Sequence, residues 1–202
     1  MQRRMHLLLV AAAAILGLLA GLAGCGNAVK FNSIDITGGA EYGKDFRLTD
    51  HDGKLRTLAH YQGKVVTVFF GYLNCPDFCP THLARQNEVL RLLGKDAARV
   101  QTLFVSVDPQ RDTPERIKAY VTAFNPSFVG LTGTKPEIDQ AVKTFHARYE
   151  LVPLKDSPLG YTVQHSTLSM AFDPQGRLRL AIRHEESAQQ VADDIAALLA
   201  GK

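Results

Sequence analysis

Two largely apolar runs, at residues 64–70 and 100–107, constrain the fold of this chain more than any other feature. Continuous runs rich in β-branched and aromatic residues are typical of strands that are buried on both faces of a sheet. A helical pattern over 80–93 lies between them, and this strand–helix–strand order predicts a parallel crossover unit. The chain is therefore expected to have an α/β architecture, with helices covering both faces of a sheet.

The remaining segments extend this pattern into a mixed sheet. In chain order, the sequence predicts a hairpin over 46–59, a helix from Pro114 to about 124, a short strand over 128–131, a helix over 135–149, a loop over 154–160, strands over 166–172 and 178–183, and a helix over 186–199. Together these elements predict a thioredoxin-like mixed sheet flanked by helices, with an N-terminal hairpin, in one domain over 44–202.

The N-terminal residues have the pattern of an export signal. Arg3 and Arg4 precede an almost wholly apolar run over 7–23, and Leu22-Ala23-Gly24-Cys25 looks like a bacterial lipobox. We therefore expect a lipoprotein signal peptide over 1–24, lipidation of Cys25 and a lipidated tether over 25–43. An uncleaved transmembrane anchor is the alternative, although the run is short of the roughly 20 apolar residues that span a bilayer. Either interpretation predicts a membrane-anchored protein that faces the periplasm or extracytoplasmic space.

The charge and the cysteines narrow the classes of function. The net charge is only +3 and there is no basic run, so a nucleic-acid partner is not expected. If Cys25 carries lipid, Cys75 and Cys79 remain, four positions apart. In an oxidising compartment such a pair forms a disulfide, a metal site, or both in turn. A purely structural bridge would contribute little, because so small a loop removes little entropy from the unfolded chain.

The two cysteines have the sequence surroundings of a reactive dithiol. Each precedes a proline, which disfavours helical backbone angles at the cysteine itself. We therefore place Cys75 in a loop and Cys79 at or near a helix N-cap, with Pro80 as the first helical residue. The unpaired N–H groups and partial positive charge of a helix N-terminus favour a thiolate, so the pKa of Cys79 is expected to be lowered.

A metal at this dithiol would need a third ligand, and His165 is the best candidate. Two thiolates favour soft or borderline ions such as Cu(I) and Zn(II). In a thioredoxin-like fold, the junction before the strand predicted to start at Ser166 lies beside the dithiol, and His165 occupies that junction. His82 is a weaker rival. A set of two sulfurs and one nitrogen suits Cu(II) as well as Cu(I), whereas zinc would require a fourth ligand.

Four segments together resemble one protein family. They are Gly71-Tyr72 with Cys75-Pro76-Asp77-Phe78-Cys79-Pro80, then Val105-Ser106-Val107-Asp108-Pro109-Gln110-Arg111-Asp112-Thr113-Pro114, then Phe124-Asn125-Pro126-Ser127-Phe128-Val129-Gly130-Leu131-Thr132-Gly133, and finally His165-Ser166 with Asp173-Pro174. With these motifs the chain resembles the Sco (SenC/PrrC) family of copper chaperones for cytochrome c oxidase assembly.

The resemblance implies that Cys75, Cys79 and His165 bind copper, as Cu(I) or Cu(II). It implies cytochrome c oxidase subunit II as partner, with its CuA centre as acceptor, and we also expect an upstream copper donor. Asp77 matches an acidic position of the family, and the motif residues from Asp108 to Asp112 are interpreted as loop geometry and helix capping. Gln164 and Met170 depart from the family pattern, and Met170 is expected in the core.

The sequence leaves three functions open. The leading hypothesis is a metallochaperone that binds one copper ion, in which a Cys75–Cys79 disulfide would block binding. The alternative is a thiol–disulfide oxidoreductase that keeps acceptor cysteines reduced, so the assignment as an enzyme is undecided. A redox or copper sensor is the third. A peroxiredoxin-like peroxidase ranks lower, because Tyr72 and Pro76 stand where its Thr or Ser would precede the reactive cysteine.

Overall fold

The computed structural model describes residues 30–38, 43, 46–155 and 157–202, and residues Phe31–Lys202 form a compact unit. The strands within it are β1 (Ile34–Asp35), β2 (Leu48–Asp50), β3 (Leu55–Arg56), β4 (Val65–Gly71), β5 (Val100–Ser106), β6 (Val129–Thr132), β7 (Tyr149–Pro153), β8 (Tyr161–His165), β9 (Ser169–Phe172) and β10 (Leu178–Ile182). The α-helices are α1 (Phe78–Leu93), α2 (Pro114–Phe124), α3 (Lys135–Thr144) and α4 (Ala188–Leu199), and short 3₁₀ helices span Leu58–Tyr61 and Gly94–Arg99.

The expected signal peptide and the lipidation site Cys25 lie outside the described residues, as do residues 25–29 and 39–42 of the expected tether. Within the part of the chain that is described, none of the helices combines the length and the apolar character needed to cross a bilayer.

The main sheet is mixed, as predicted. Its eight strands run in the order β1-β10-β9-β4-β5-β6-β2-β3. Strands β4, β5 and β6 are parallel neighbours at its centre, and β4 pairs with β5 along its whole length, from Val65 opposite Val100 to Gly71 opposite Ser106. Every residue of β4 and β5 is buried, as expected for strands covered on both faces. The predicted strand–helix–strand unit is thus confirmed as the core of the fold.

Two adjacent phenylalanines of β4 show that both faces of the sheet are covered. Successive side chains of a strand point to opposite faces. The Phe69 ring stacks on His82 of α1, with ring centroids 4.0 Å apart. The Phe70 ring instead meets Phe145, directly after α3, at 5.2 Å. Since α1 also packs against α2 and α4, three helices share one face and α3 covers the other.

Local signals determine where the helices begin. Thr113 is the N-cap of α2, where its hydroxyl accepts a hydrogen bond from the N–H of Arg116, and Pro114 follows at the first helical position, as the sequence predicted. Thr134 and Ser187 begin α3 and α4 with reciprocal capping boxes.

The largest error of the sequence-based prediction concerns residues 145–165. The helix predicted over 135–149 ends at Thr144, because His146 adopts a positive φ of 50° that no right-handed helix accommodates. The chain then forms β7 and β8, a separate two-stranded antiparallel sheet that sequence patterning did not predict. His165 consequently ends β8, and the next strand begins at Ser169 rather than Ser166.

Candidate metal centre

The first component of the site is the turn that joins β4 to α1. Cys79 is fully buried and lies within the first turn of α1, while Cys75 precedes the helix and is also buried. The sulfur of Cys79 packs directly over Gly71, the last residue of β4. A Cβ atom at position 71 would lie 2.6 Å from this sulfur, so only glycine leaves room for it. The buried strand therefore determines where the dithiol sits.

His165 is the second component, and it reaches the dithiol from the β7–β8 hairpin. Its Nε2 lies 3.6 Å from the sulfur of Cys79 and 3.9 Å from that of Cys75. The three donor atoms lie within 4.8 Å of one another, and the described residues contain no other group of three His, Cys, Asp or Glu donors as close. The structure therefore brings the predicted ligands together, although Cys75 and His165 are 90 positions apart in the chain.

The other imidazole nitrogen of His165 orients the ring toward the sulfurs. Nδ1 lies 2.9 Å from the carbonyl oxygen of Ser166, which can only accept, so Nδ1 donates this hydrogen bond. Nε2, on the opposite side of the ring, faces the dithiol. The edges of the Phe69 and Tyr72 rings contact the imidazole at centroid distances of 5.8 Å and hold its plane.

The electrostatics of the dithiol reverse the expectation from the sequence. Helix α1 begins at Phe78 with Asp77 as N-cap, so the helix start lies two residues before the predicted one. The thiol of Cys79 and its backbone N–H, 3.4 Å away, both donate to the sulfur of Cys75 and lower the pKa of Cys75 to about 4. The hydrogen bond to Cys75 and burial instead raise the pKa of Cys79. Cys75 is therefore the thiolate of the pair, and the prediction of a lowered pKa at Cys79 was wrong.

The spacing of the three donors fits a single soft metal ion. Bonds of about 2.3 Å to sulfur and about 2.0 Å to nitrogen, about 120° apart, would place sulfur and nitrogen about 3.7 Å from each other. The two sulfur–nitrogen distances, 3.6 and 3.9 Å, bracket this value. Cysteine sulfurs and an imidazole nitrogen are ligands that copper accepts in either oxidation state. No fourth His, Cys, Asp or Glu of the described residues joins this group, which disfavours a structural zinc site.

An open cleft gives solvent access to the histidine side of the site. Its volume is about 650 Å³, and His165 and Gln164 form part of its wall. Lys143 and Arg148 also line it, and neither side chain makes a hydrogen bond or ion pair within the described structure. The dithiol is thus buried on the helix side, while the imidazole borders water.

Asp112 is a site residue whose role the sequence prediction missed. It was interpreted as part of a helix cap, but Thr113 is the N-cap, and Asp112 is buried. One of its carboxylate oxygens accepts hydrogen bonds from the hydroxyl of Ser106, at 2.6 Å, and from the N–H of Leu73, at 3.0 Å. It therefore ties the loop before Cys75 to the end of β5. The acid in its motif was visible in the sequence, but the contact with Leu73 was not.

The other sequence candidates lie outside the donor group. His82 is buried against Phe69 in the core, and Met170 is partly buried in β9, packed against the core as expected. Asp77 is exposed at the start of α1, where its carboxylate accepts from the hydroxyl of Thr81 at 3.4 Å. Gln164 is exposed at the cleft.

A mixed sheet flanked by helices, with a dithiol at the end of a central strand and a histidine across from it, defines a thioredoxin-like protein with a metal-binding type of site. The SCO1/SenC family model matches residues 34–200. The chain therefore belongs to the SCO1/SenC family.

Solved structures and curated relatives agree with this assignment. The chain is similar to Bradyrhizobium japonicum ScoI, solved with copper bound, at 39% identity and a TM-score of 0.71 over 78% of this chain and 99% of that one. Yeast Sco1, also solved with copper bound, shares 32% identity at a TM-score of 0.73, over 81% of this chain and 91% of that one. The mitochondrial SCO2 homologue of Bos taurus is 36% identical over 153 residues, which are 75% of this chain and 57% of the relative. The chain thus spans little more than half of that relative.

Proposed function

We propose that this protein is a copper metallochaperone that binds one copper ion through Cys75, Cys79 and His165. The observation that carries the proposal is the convergence of the three donors, with Nε2 of His165 3.6 and 3.9 Å from the two sulfurs. The similar structures of Bradyrhizobium japonicum ScoI and yeast Sco1 were solved with copper bound. The open cleft beside His165 supports exchange of the ion with another protein.

The acceptor that we propose is the CuA centre of cytochrome c oxidase subunit II, after loading by an upstream copper donor. A similar structure, BsSco, is described as a member of the Sco family of cytochrome c oxidase assembly proteins. Its sequence is 22% identical to this chain, so the likeness itself supports only a shared fold. We further propose a lipoprotein signal peptide over 1–24 and a lipid on Cys25, so that the domain faces the periplasm or extracytoplasmic space.

Copper titration of the purified, reduced protein tests the proposed ligands. The wild type is expected to bind one equivalent of Cu(I) or Cu(II), with intense thiolate-to-Cu(II) absorption. His165→Ala is expected to abolish that absorption and weaken Cu(II) binding by at least tenfold. His60→Ala is the matched control, because His60 is exposed and does not belong to the donor group. An unchanged Cu(II) affinity in His165→Ala would falsify the ligand assignment.

A thiol–disulfide oxidoreductase is the second candidate function. The free Cys75–Cys79 pair, with the lowered pKa of Cys75, favours it, because the thiolate is the form that attacks disulfides. In such a reaction, the Cys75 thiolate would form a mixed disulfide with an acceptor. Cys79 would then displace the reduced acceptor, leaving a Cys75–Cys79 disulfide that needs an external dithiol for regeneration. Copper-free protein with His165→Ala separates the functions, since reduction of a model disulfide would persist without the histidine.

A further inference from the structure

The β7–β8 hairpin carries a ligand but is not hydrogen-bonded to the main sheet. Its two strands form a separate sheet of their own. An isolated two-stranded hairpin is at best marginally stable in water. The position of His165, at the end of β8, therefore depends on the side-chain contacts that hold this hairpin against the rest of the domain.

Arg111 makes the most extensive of these contacts. Its Nη1 donates to the carbonyl oxygens of Leu159 and Tyr161, at 3.0 and 2.8 Å, where the chain enters β8. Its guanidinium lies over the Tyr161 ring, 3.6 Å from the centroid. Its Nε donates to Asp108 at 2.6 Å, in an ion pair that is largely buried. Arginine suits this task because its planar guanidinium donates in several directions while stacking on an aromatic ring.

Asp108 joins Arg111 to Tyr161 by accepting a hydrogen bond from each. One of its carboxylate oxygens accepts from Arg111, and the other accepts from the Tyr161 hydroxyl at 2.6 Å. We name Asp108, Arg111 and Tyr161 the hairpin clamp. Asp108 itself is buried, so the loss of either donor would leave a desolvated carboxylate without one of its partners.

The loop that holds the clamp also holds the dithiol turn. Asp112 directly follows Arg111 and accepts from the N–H of Leu73, two residues before Cys75. The loop between β5 and α2 therefore binds the hairpin through Arg111 and the cysteine turn through Asp112. This arrangement sets the distance between the imidazole and the sulfurs without any of its residues being a ligand.

We propose that Asp108, Arg111 and Tyr161 are positioning residues that hold His165 over the dithiol and thereby determine how strongly the site favours Cu(II). The proposal rests on the proposed copper function. Cu(I) is retained by two thiolate ligands alone, whereas Cu(II) relies on the imidazole nitrogen as well. Release of the clamp therefore weakens the binding of Cu(II) and leaves the binding of Cu(I) nearly unchanged.

Cu(II) and Cu(I) affinities and the thiolate-to-Cu(II) spectrum of Arg111→Met and Tyr161→Phe test the proposal. Outer contacts that orient a ligand typically contribute about 10- to 100-fold to metal affinity. We expect a loss of that size for Cu(II) in Arg111→Met, a smaller loss in Tyr161→Phe, shifted absorption bands in both, and Cu(I) affinity within about threefold of wild type. Tyr161→Phe keeps the ring and removes only the hydroxyl, so it provides the answer if Arg111→Met does not fold.

Arg56→Met is the matched control. It breaks a comparable arginine–aspartate pair, Arg56 with the buried Asp50 at 2.7 Å, in the β2–β3 hairpin that forms one edge of the main sheet. Its copper affinities are expected to equal those of the wild type.

A double-mutant cycle separates positioning of the histidine from general destabilisation. In a His165→Ala background, Arg111→Met is expected to have no further effect on Cu(II) affinity, because the ligand on which it acts is gone. Equal losses in the presence and absence of His165 would overturn the proposal, as would an unchanged affinity and spectrum in both clamp variants. A wild-type protein that binds no copper would instead refute the proposed function itself.

Discussion

The two halves of the metal centre are held in different ways. Cys79 is packed against Gly71 at the end of a fully buried strand, among the most enclosed residues of the domain. His165 ends a partly exposed hairpin that is joined to the rest of the domain by side-chain contacts. The comparison teaches that the two cysteines belong to the rigid framework and the imidazole to an attached element. Under the proposed function, in which the site both holds and releases an ion, it gains from having ligands of both kinds.

Amide hydrogen exchange tests this comparison most directly, and the largest effect is expected there. Amides of β7 and β8 should exchange at least about a hundredfold faster than those of β4 and β5, because short exposed elements open without global unfolding. Mass spectrometry of peptides from both regions measures the difference. Copper binding should reduce this difference in exchange rate, because the ion would join His165 to the dithiol. Equal protection in the metal-free protein would contradict the comparison.

Gly71→Ala perturbs the rigid part of the site, where Cys79 packs against the end of β4. The added methyl would lie 2.6 Å from the sulfur of Cys79 and 2.9 Å from the Phe104 ring. Overpacking of this kind lowers the free energy of unfolding by about 2 kcal/mol, and here it should displace Cys79 as well. Chemical denaturation and copper titration measure the two effects.

Gly94→Ala serves as the control for this substitution. A Cβ at position 94 meets open space, so only the strain of its positive φ remains, and copper binding should be retained. If Gly71→Ala bound copper like the wild type, Cys79 would not be held rigidly against β4, contrary to our inference.

The two cysteines should differ in reactivity by about tenfold or more at pH 6, since only a thiolate is an effective nucleophile. Hydrogen bonds from Cys79 lower the pKa of Cys75 to about 4, so Cys75 is a thiolate throughout the range from pH 5 to 8. Its rate of alkylation by iodoacetamide should accordingly change little over that range, whereas an ordinary thiol accelerates with rising pH. Peptide mass spectrometry identifies the modified residue. Preferential labelling of Cys79 would reverse our assignment of the thiolate.

The smallest effect is expected for Tyr72→Phe, which weakens the attachment of the hairpin. The Tyr72 hydroxyl lies 2.9 Å from that of Thr162 in β8. Loss of this hydrogen bond costs about 1 kcal/mol, so exchange of β8 amides should rise about fivefold while the main sheet is unaffected. Tyr61→Phe is the control, because the buried Tyr61 hydroxyl has no hydrogen-bond partner in the described structure. A uniform change across both regions would show that the hairpin is part of the framework.

The sequence predicted the rigid framework because each of its elements is signalled by a few neighbouring residues. These local signals are the apolar runs of β4 and β5, the prolines after the two cysteines, and the Thr113-Pro114 helix start. The hairpin lacks such a signal, since β7 and β8 have mostly exposed or half-exposed residues and a long connection. Its pairing is stable only in contact with the rest of the domain.

The sequence by itself determined the α/β class, the dithiol and the candidate third ligand, since each depends on residue type and order. Only the tertiary structure decided which cysteine is the thiolate, because that depends on the direction of hydrogen bonds between Cys75 and Cys79. It alone also revealed that Arg111 and Asp112 join the two halves of the site. Such contacts link positions far apart in the chain, and their energy comes from burial and geometry that no local pattern records.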